Sequence, residues 1–303
     1  MRSFVVALML WTAPLAVAKL GAAELKFSTI DGHGGLPLNV MEVGNPAGPA
    51  ILLIHGMAMG AMSFRPQFDS ALAKDFRLVA YDLRGHGNSG KPWDPKDVQA
   101  SEIWADDMAA VIAAAKLDKP VVVGWSYGGF VAADYVRKYG TAGIAGLNLV
   151  GSIAGLVQQP PPVGNMTPEE MKRRAAKQTS GNMRDNIEVV EATVNIFAFP
   201  GMTPAYREEM RTLGLMVPAY VRRAFVGRNL DHQDVTPKLV DFPMLITMGA
   251  NDVAQAPEAY ARLKAALPKA QYSVFENNGH LPFAQSPERF NAELAAFVRA
   301  VKK

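Results

Sequence analysis

Six consecutive residues, Gly124-Trp125-Ser126-Tyr127-Gly128-Gly129, set a serine between glycines two positions before it and two after it. A serine hydroxyl is a weak nucleophile until a neighbouring base accepts its proton, so chemistry at Ser126 requires an imidazole and a group that orients it. The chain has five histidines to choose from, His33, His55, His86, His232 and His280. It has no cysteine, which removes thiol nucleophiles, disulfides and thiolate metal sites. An ordinary glycine turn is the competing reading, and the elements around the serine decide between the two.

Val121-Val122-Val123 immediately before this segment reads as a strand buried on both faces, and Phe130 to Tyr139 after it reads as a helix. A serine on a sharp strand-to-helix turn needs small residues at the positions Gly124 and Gly128 occupy, with Gly129 giving room for close helix packing. The amide dipoles of such a helix start favour negative charge that develops beside the serine. The same rhythm runs through the chain. Ala50 to Ile54, Phe76 to Tyr81, Ile144 to Val150, Phe242 to Met248 and Ala270 to Phe275 are further strand runs. Helical patterns cover residues 66–74, Ser101 to Ala115 and Pro287 to Val301. Alternating strands and helices predict a mostly parallel central sheet flanked by helices. The rhythm stops after Gly151. Residues 156–238 carry helical patterns at Pro168–Gln178, Met183–Ile196 and Pro204–Leu215, so they read as a helical cap inserted before the last strands. Residues 24–155 and 239–303 then form the core.

With the motifs placed in this way, the chain resembles the α/β-hydrolase superfamily from about residue 26 to its end, in its esterase and haloperoxidase-like branch. The resemblance implies a triad in the chain order serine, acid, histidine. His280, in Asn277-Asn278-Gly279-His280-Leu281-Pro282 after the last strand run, resembles the family's histidine in position and in its preceding glycine. Asp252 follows the Leu245 to Met248 strand, where a triad acid belongs, and capping a helix that starts near Pro257 is its other possible use. Asp231, Asp234 and Asp241 compete for the acid's role from in or beside the insertion. His280 would take the proton of Ser126, and Asp252 would hold the imidazole in its working tautomer. His55-Gly56-Met57 resembles the family's HG-x motif. An oxyanion hole made of the Met57 and Tyr127 N–H groups is therefore expected, with His55 pinning the loop. Asp82-Leu83-Arg84-Gly85-His86-Gly87-Asn88-Ser89 resembles the D-x-R-G-x-G-x-S signature and reads as scaffold, with Asp82 and Arg84 able to pair.

The implied activity is metal-free, cofactor-free hydrolysis of small or medium apolar esters through an acyl-serine. Perhydrolysis, carbon–carbon bond hydrolysis, lactone opening and acyl transfer use the same machinery. A receptor that keeps the triad is an alternative of another class. A serine at position 126 argues against the dehalogenase and epoxide hydrolase branches, which use an aspartate there. In the cap, Met166, Met171, Met183, Phe197, Phe199, Met202, Met210, Met216 and Tyr220 could line a pocket or form the cap's own core. Arg173, Arg174, Arg207, Arg222 and Arg223 are expected on a solvated face.

The bulk numbers fit a globular enzyme: 303 residues, 49% apolar and 19% charged. A net charge of +3 with scattered basic residues gives no nucleic-acid footprint, so a small-molecule substrate is the expected partner. Arg2, the apolar stretch Phe4 to Trp11 and the small residues to Ala18 read as a secretory leader cleaved after Ala18 or after Ala23. That apolar run is too short to span a bilayer, which takes about 20 residues. An exported protein, periplasmic or secreted and without stable membrane insertion, is expected.

Overall fold

The computed structural model describes residues 24–158, 167–197 and 201–302, so the proposed leader lies outside the described residues. Eight strands form one sheet in the order β1-β2-β4-β3-β5-β6-β7-β8. They are β1 (Lys26–Asp31), β2 (Pro37–Gly44), β3 (Ala50–Ile54), β4 (Arg77–Tyr81), β5 (Val121–Trp125), β6 (Gly146–Val150), β7 (Met244–Gly249) and β8 (Gln271–Phe275). The first two strands pair antiparallel with each other, and β2 pairs antiparallel with β4; every later pairing is parallel. The fold is therefore the α/β-hydrolase fold that the sequence predicts, with an antiparallel edge.

The apolar runs explain the layers. Along β3, Leu52 and Ile54 face one side with Val79, Val122, Leu149 and Ile246. That side is covered by α1 (Ser101–Ala114) and α2 (Tyr127–Tyr139) through Trp104, Met108 and Val131, and by α7 (Pro257–Ala266) through Leu263. Ile51 and Leu53 face the other side, against Phe64, Phe68, Phe290, Leu294 and Phe297. Three of those belong to α8 (Pro287–Val301), whose limits match the sequence reading. All five residues of β3, β5 and β6 are buried, the signature of strands covered on both faces.

Between β6 and β7 the described chain is helical. It holds α3 (Pro168–Gln178), α4 (Met183–Phe197), α5 (Pro204–Leu215) and α6 (Ala219–Ala224). Prolines at N1 and threonine caps set the starts of α3 and α5: Thr167 accepts from the Glu170 N–H in a capping box, and Thr203 accepts from the Tyr206 N–H. Most of the cap's inner side chains are apolar. Val190, Val194, Phe197, Met210 and Leu213 share a cluster with Trp125 and Phe283, and Val217, Val221 and Phe225 share one with Tyr127. Met183 instead faces solvent. Met166 and Phe199 lie outside the described residues. No helix among the described residues is long and apolar enough to cross a membrane.

Candidate active site

Ser126 sits between β5 and α2 with φ 51° and ψ −113°, a backbone conformation that costs on the order of 1–3 kcal/mol for a residue with a side chain. Its surroundings hold it there. The Ser126 N–H donates to the Val150 carbonyl at 2.9 Å, and the Gly129 N–H donates back to the Ser126 carbonyl at 3.0 Å. The flanking glycines are required by space: a Cβ on Gly128 would stand 2.1 Å from the Ile54 carbonyl oxygen, and one on Gly124 would stand 2.8 Å from that of Gly128. The turn thus wedges α2 against the end of β3, leaving Ser126 half-buried while both its neighbours are buried.

His280 and Asp252 arrive from the loops after β8 and β7. His280 Nδ1 is 2.8 Å from Asp252 Oδ2, and the side chains of both are only 2% exposed. Asp252 Oδ1 accepts from the Ala254 N–H at 2.8 Å, so both carboxylate oxygens are engaged. The residue before α7 is Ala256 and no side chain caps that helix, which leaves Asp252 to the histidine. The competing acids lie elsewhere. Asp234 pairs with Arg137, Asp231 accepts from Gln233, and Asp241 pairs with Lys269 on the surface. The imidazole is also framed by carbon. Phe197 of α4 stacks on it with ring centroids 5.2 Å apart and planes at 17°, and the Trp125 indole N–H donates to the His280 carbonyl at 3.0 Å. That bond ties the histidine loop to the residue before Ser126.

The loop after β3 passes close to the serine: a Cβ on Gly56 would lie 3.2 Å from the Ser126 Cβ. Among the described residues, neither the Met57 N–H nor the Tyr127 N–H donates to a protein acceptor. Two buried imidazoles shape this loop. His55 Nδ1 donates to the Gly56 carbonyl at 2.7 Å, while its Nε2 accepts from the Leu83 N–H at 2.9 Å. His86 Nδ1 donates to the Arg84 carbonyl at 2.9 Å, and its Nε2 accepts from the Ala58 N–H at 3.0 Å. Ala58 has φ 57°, so this bond holds a strained residue beside Met57. Both rings work as neutral acceptors. Burial lowers the His55 pKa against the pull of Asp82, and burial with the neighbouring His55 lowers that of His86 to about 3.

The D-x-R-G segment differs from its expected pairing. Asp82 accepts from the Ala61 N–H, the Asn88 N–H and Asn39 Nδ2, at 2.8–2.9 Å, and does not pair with Arg84. Arg84 instead makes a bidentate pair with Asp107 of α1, both bonds at 2.6 Å and both side chains buried. The reason is geometric: the lone pairs of Asp82 are used by backbone N–H groups of the turns it closes, and its guanidinium neighbour points toward α1. Ser89 donates to the Asp82 carbonyl at 2.5 Å, a scaffold role. In the cap, Arg173 and Arg223 are exposed, but Arg222 is buried, donating to the Val217 carbonyl at 2.7 Å. Three buried residues were not marked by any motif: Asp107, Asp134 of α2 and Arg228 of the segment that returns from the cap. A carboxylate at the flank of the apolar face formed by Trp104, Met108 and Val111 is the one sequence signal for Asp107.

A family model described as the alpha/beta hydrolase family matches residues 51–293. The chain is 26% identical to a bifunctional esterase/perhydrolase of Acinetobacter calcoaceticus, over 88% of this chain and 97% of that one. It is 27% identical to an alpha/beta hydrolase superfamily protein of Bacillus subtilis, over 86% of this chain and 94% of that one. Among solved structures, an esterase from Rhodococcus sp. ECU1013 superposes with a TM-score of 0.79 at 30% identity, covering 91% of this chain and 99% of that one.

Proposed function

Because this chain belongs to the α/β-hydrolase family and is an enzyme of that family, we propose that it hydrolyses neutral, apolar carboxylic esters of small to medium size through an acyl intermediate on Ser126. The observation that carries the reading is the Asp252–His280 pair, delivered by two separate loops to the sheet end where Ser126 stands at positive φ.

With Asp252 bonded to Nδ1, His280 has Nε2 left to accept the Ser126 proton as Oγ attacks the ester carbonyl. The carbonyl oxygen becomes an oxyanion facing the Met57 and Tyr127 N–H groups, neither of which needs to give up another acceptor. Asp252 stabilises the imidazolium. His280 then returns the proton to the departing alcohol, and water, deprotonated by the same imidazole, releases the acid and restores the serine hydroxyl. The substrate class rests on the cap, whose side chains packed over the loops after β3 and β4 include Leu213 and Val221: a Cβ on Gly60 would meet Leu213 at 3.0 Å, and one on Gly85 would meet Val221 at 2.5 Å. The relative named as an esterase and perhydrolase favours a second reading, in which hydrogen peroxide replaces water in the second half-reaction. The amino-terminal pattern Arg2 to Ala18 further supports an enzyme that works after export.

A series of p-nitrophenyl esters from acetate to dodecanoate tests the substrate class. Turnover is expected to peak at short or middle chain length, and a matching series ending in a carboxylate is expected to react at least ~10-fold more slowly, because burying an unpaired charge is costly. Uniform inactivity, or preference for the charged series, contradicts it.

A further inference from the structure

The helix that starts beside Ser126 is gripped from behind by a residue the triad does not include. Tyr127 and Asp134 lie seven positions apart on one face of α2. Arg228 reaches both: one guanidinium nitrogen donates to the Tyr127 hydroxyl and the other to Asp134 Oδ2. The guanidinium carbon lies 4.8 Å from the Trp104 ring centroid and 4.9 Å from that of Tyr127. The side chains of Arg228 and Asp134 are at most 1% exposed. His232 Nε2 adds a bond to Asp134 Oδ1 at 2.7 Å, and the Ser101 hydroxyl bonds the same oxygen. The Tyr127 ring is closed in by Trp104 at 5.4 Å and by Phe225 at 5.2 Å. Phe225 and Arg228 both belong to the segment returning from the cap.

Net stability is a poor account of such a pair, since a buried ion pair often contributes no more than apolar residues of the same volume. Its location suggests another use. Tyr127 is the residue whose backbone N–H, bonded to no other protein group among the described residues, is assigned to the oxyanion in the proposed function, and it follows directly on the strained Ser126. A peptide next to a strained residue keeps its orientation only while its surroundings over-determine it. The side chain of Tyr127 is the handle on that peptide, and Arg228 is the polar group that holds the handle.

We propose that Arg228 is a positioning residue, which fixes the Tyr127 amide for the oxyanion and couples its orientation to the seating of the cap. The proposal rests on the acyl-serine reading. Its mark is a loss confined to the tetrahedral state: the substrate binds as before, and the developing charge is held less well.

Arg228→Met, Arg228→Lys and Tyr127→Phe are compared with the unaltered enzyme, with active sites counted by fluorophosphonate titration. Tyr127→Phe removes only the hydroxyl, keeps the amide and leaves the Arg228–Asp134 pair in place. For Arg228→Met, kcat per titrated site is expected to fall about 10–100-fold with KM within about threefold, as for loss of a transition-state contact. Phenylboronic acid, which forms a tetrahedral adduct on serine, is expected to lose affinity by the same factor. Tyr127→Phe is expected to show a smaller loss of the same kind, about 3–10-fold, and Arg228→Lys to recover part of the activity. Unchanged kcat and boronate affinity per site in Tyr127→Phe overturn the proposal, whether or not Arg228→Met folds. A lowered melting temperature alone does so too. An unaltered enzyme that neither labels nor turns over esters overturns the acyl-serine reading beneath it, which distinguishes the two failures.

Discussion

His280→Ala is expected to lower kcat on a p-nitrophenyl ester by about a millionfold, close to the loss from removing the nucleophile itself. The size follows from the role: without an acceptor for its proton, Ser126 attacks as a neutral alcohol, and the leaving group departs without a proton donor. No other histidine can take over. His55 and His86 spend both ring nitrogens on the backbone of the loops they pin, His232 is bonded to Asp134 behind α2, and His33 pairs with Asp106 from the turn between β1 and β2. The substrate's KM should change little, since the ring touches the reaction centre rather than the bulk of the acyl chain. A loss below about a hundredfold in stopped assays at matched enzyme concentration contradicts the assignment of His280 as the base.

Asp252→Asn is expected to cost about ten-thousandfold in kcat with the fold intact. The asparagine fills the same space, but it can turn an N–H toward His280 Nδ1. That donor stabilises the tautomer carrying its proton on Nε2, which cannot accept from Ser126. It also removes the charge that stabilises the imidazolium. Asp234→Asn is the matched control: it breaks only a surface pair with Arg137, a kind of contact worth about 0–1 kcal/mol, and should leave kcat within about twofold. The reverse order of losses would move the acid's role to the cap-side aspartates. Circular dichroism of both variants separates these outcomes from misfolding.

The parts of this site that were readable in the sequence are those set by local constraint. The glycines around Ser126 fall within five residues of one another, so their spacing marks the turn even though the carbonyl that excludes a side chain at Gly128, that of Ile54, lies on another strand. Strands β3 and β5 are buried on both faces and therefore stand out as unbroken apolar runs, while β6 is interrupted only by the buried Asn148. The cap helices α3 and α5 were legible to the residue because a capping threonine and a proline at N1 mark each start. By contrast, β1 is an edge strand with nearly every side chain exposed, so it carries no apolar pattern to find. The Asp82–Arg84 pairing failed for a related reason. Nearness in sequence shows which charges are available, not which way a turn points them, and Arg84 meets Asp107 across 23 residues. The Arg228–Asp134 pair spans 94 residues and joins the cap to the core, so no spacing announces it. Phe197 showed its apolar character in the sequence, but its place against His280 depends on how α4 descends onto the core.

The most direct test of a covalent role for Ser126 is intact-protein and peptide mass spectrometry after exposure to a fluorophosphonate. The account predicts one adduct per chain, located on the peptide that contains Ser126, and no adduct in Ser126→Ala. Equal labelling of the alanine variant, or an adduct carried by another residue, contradicts it.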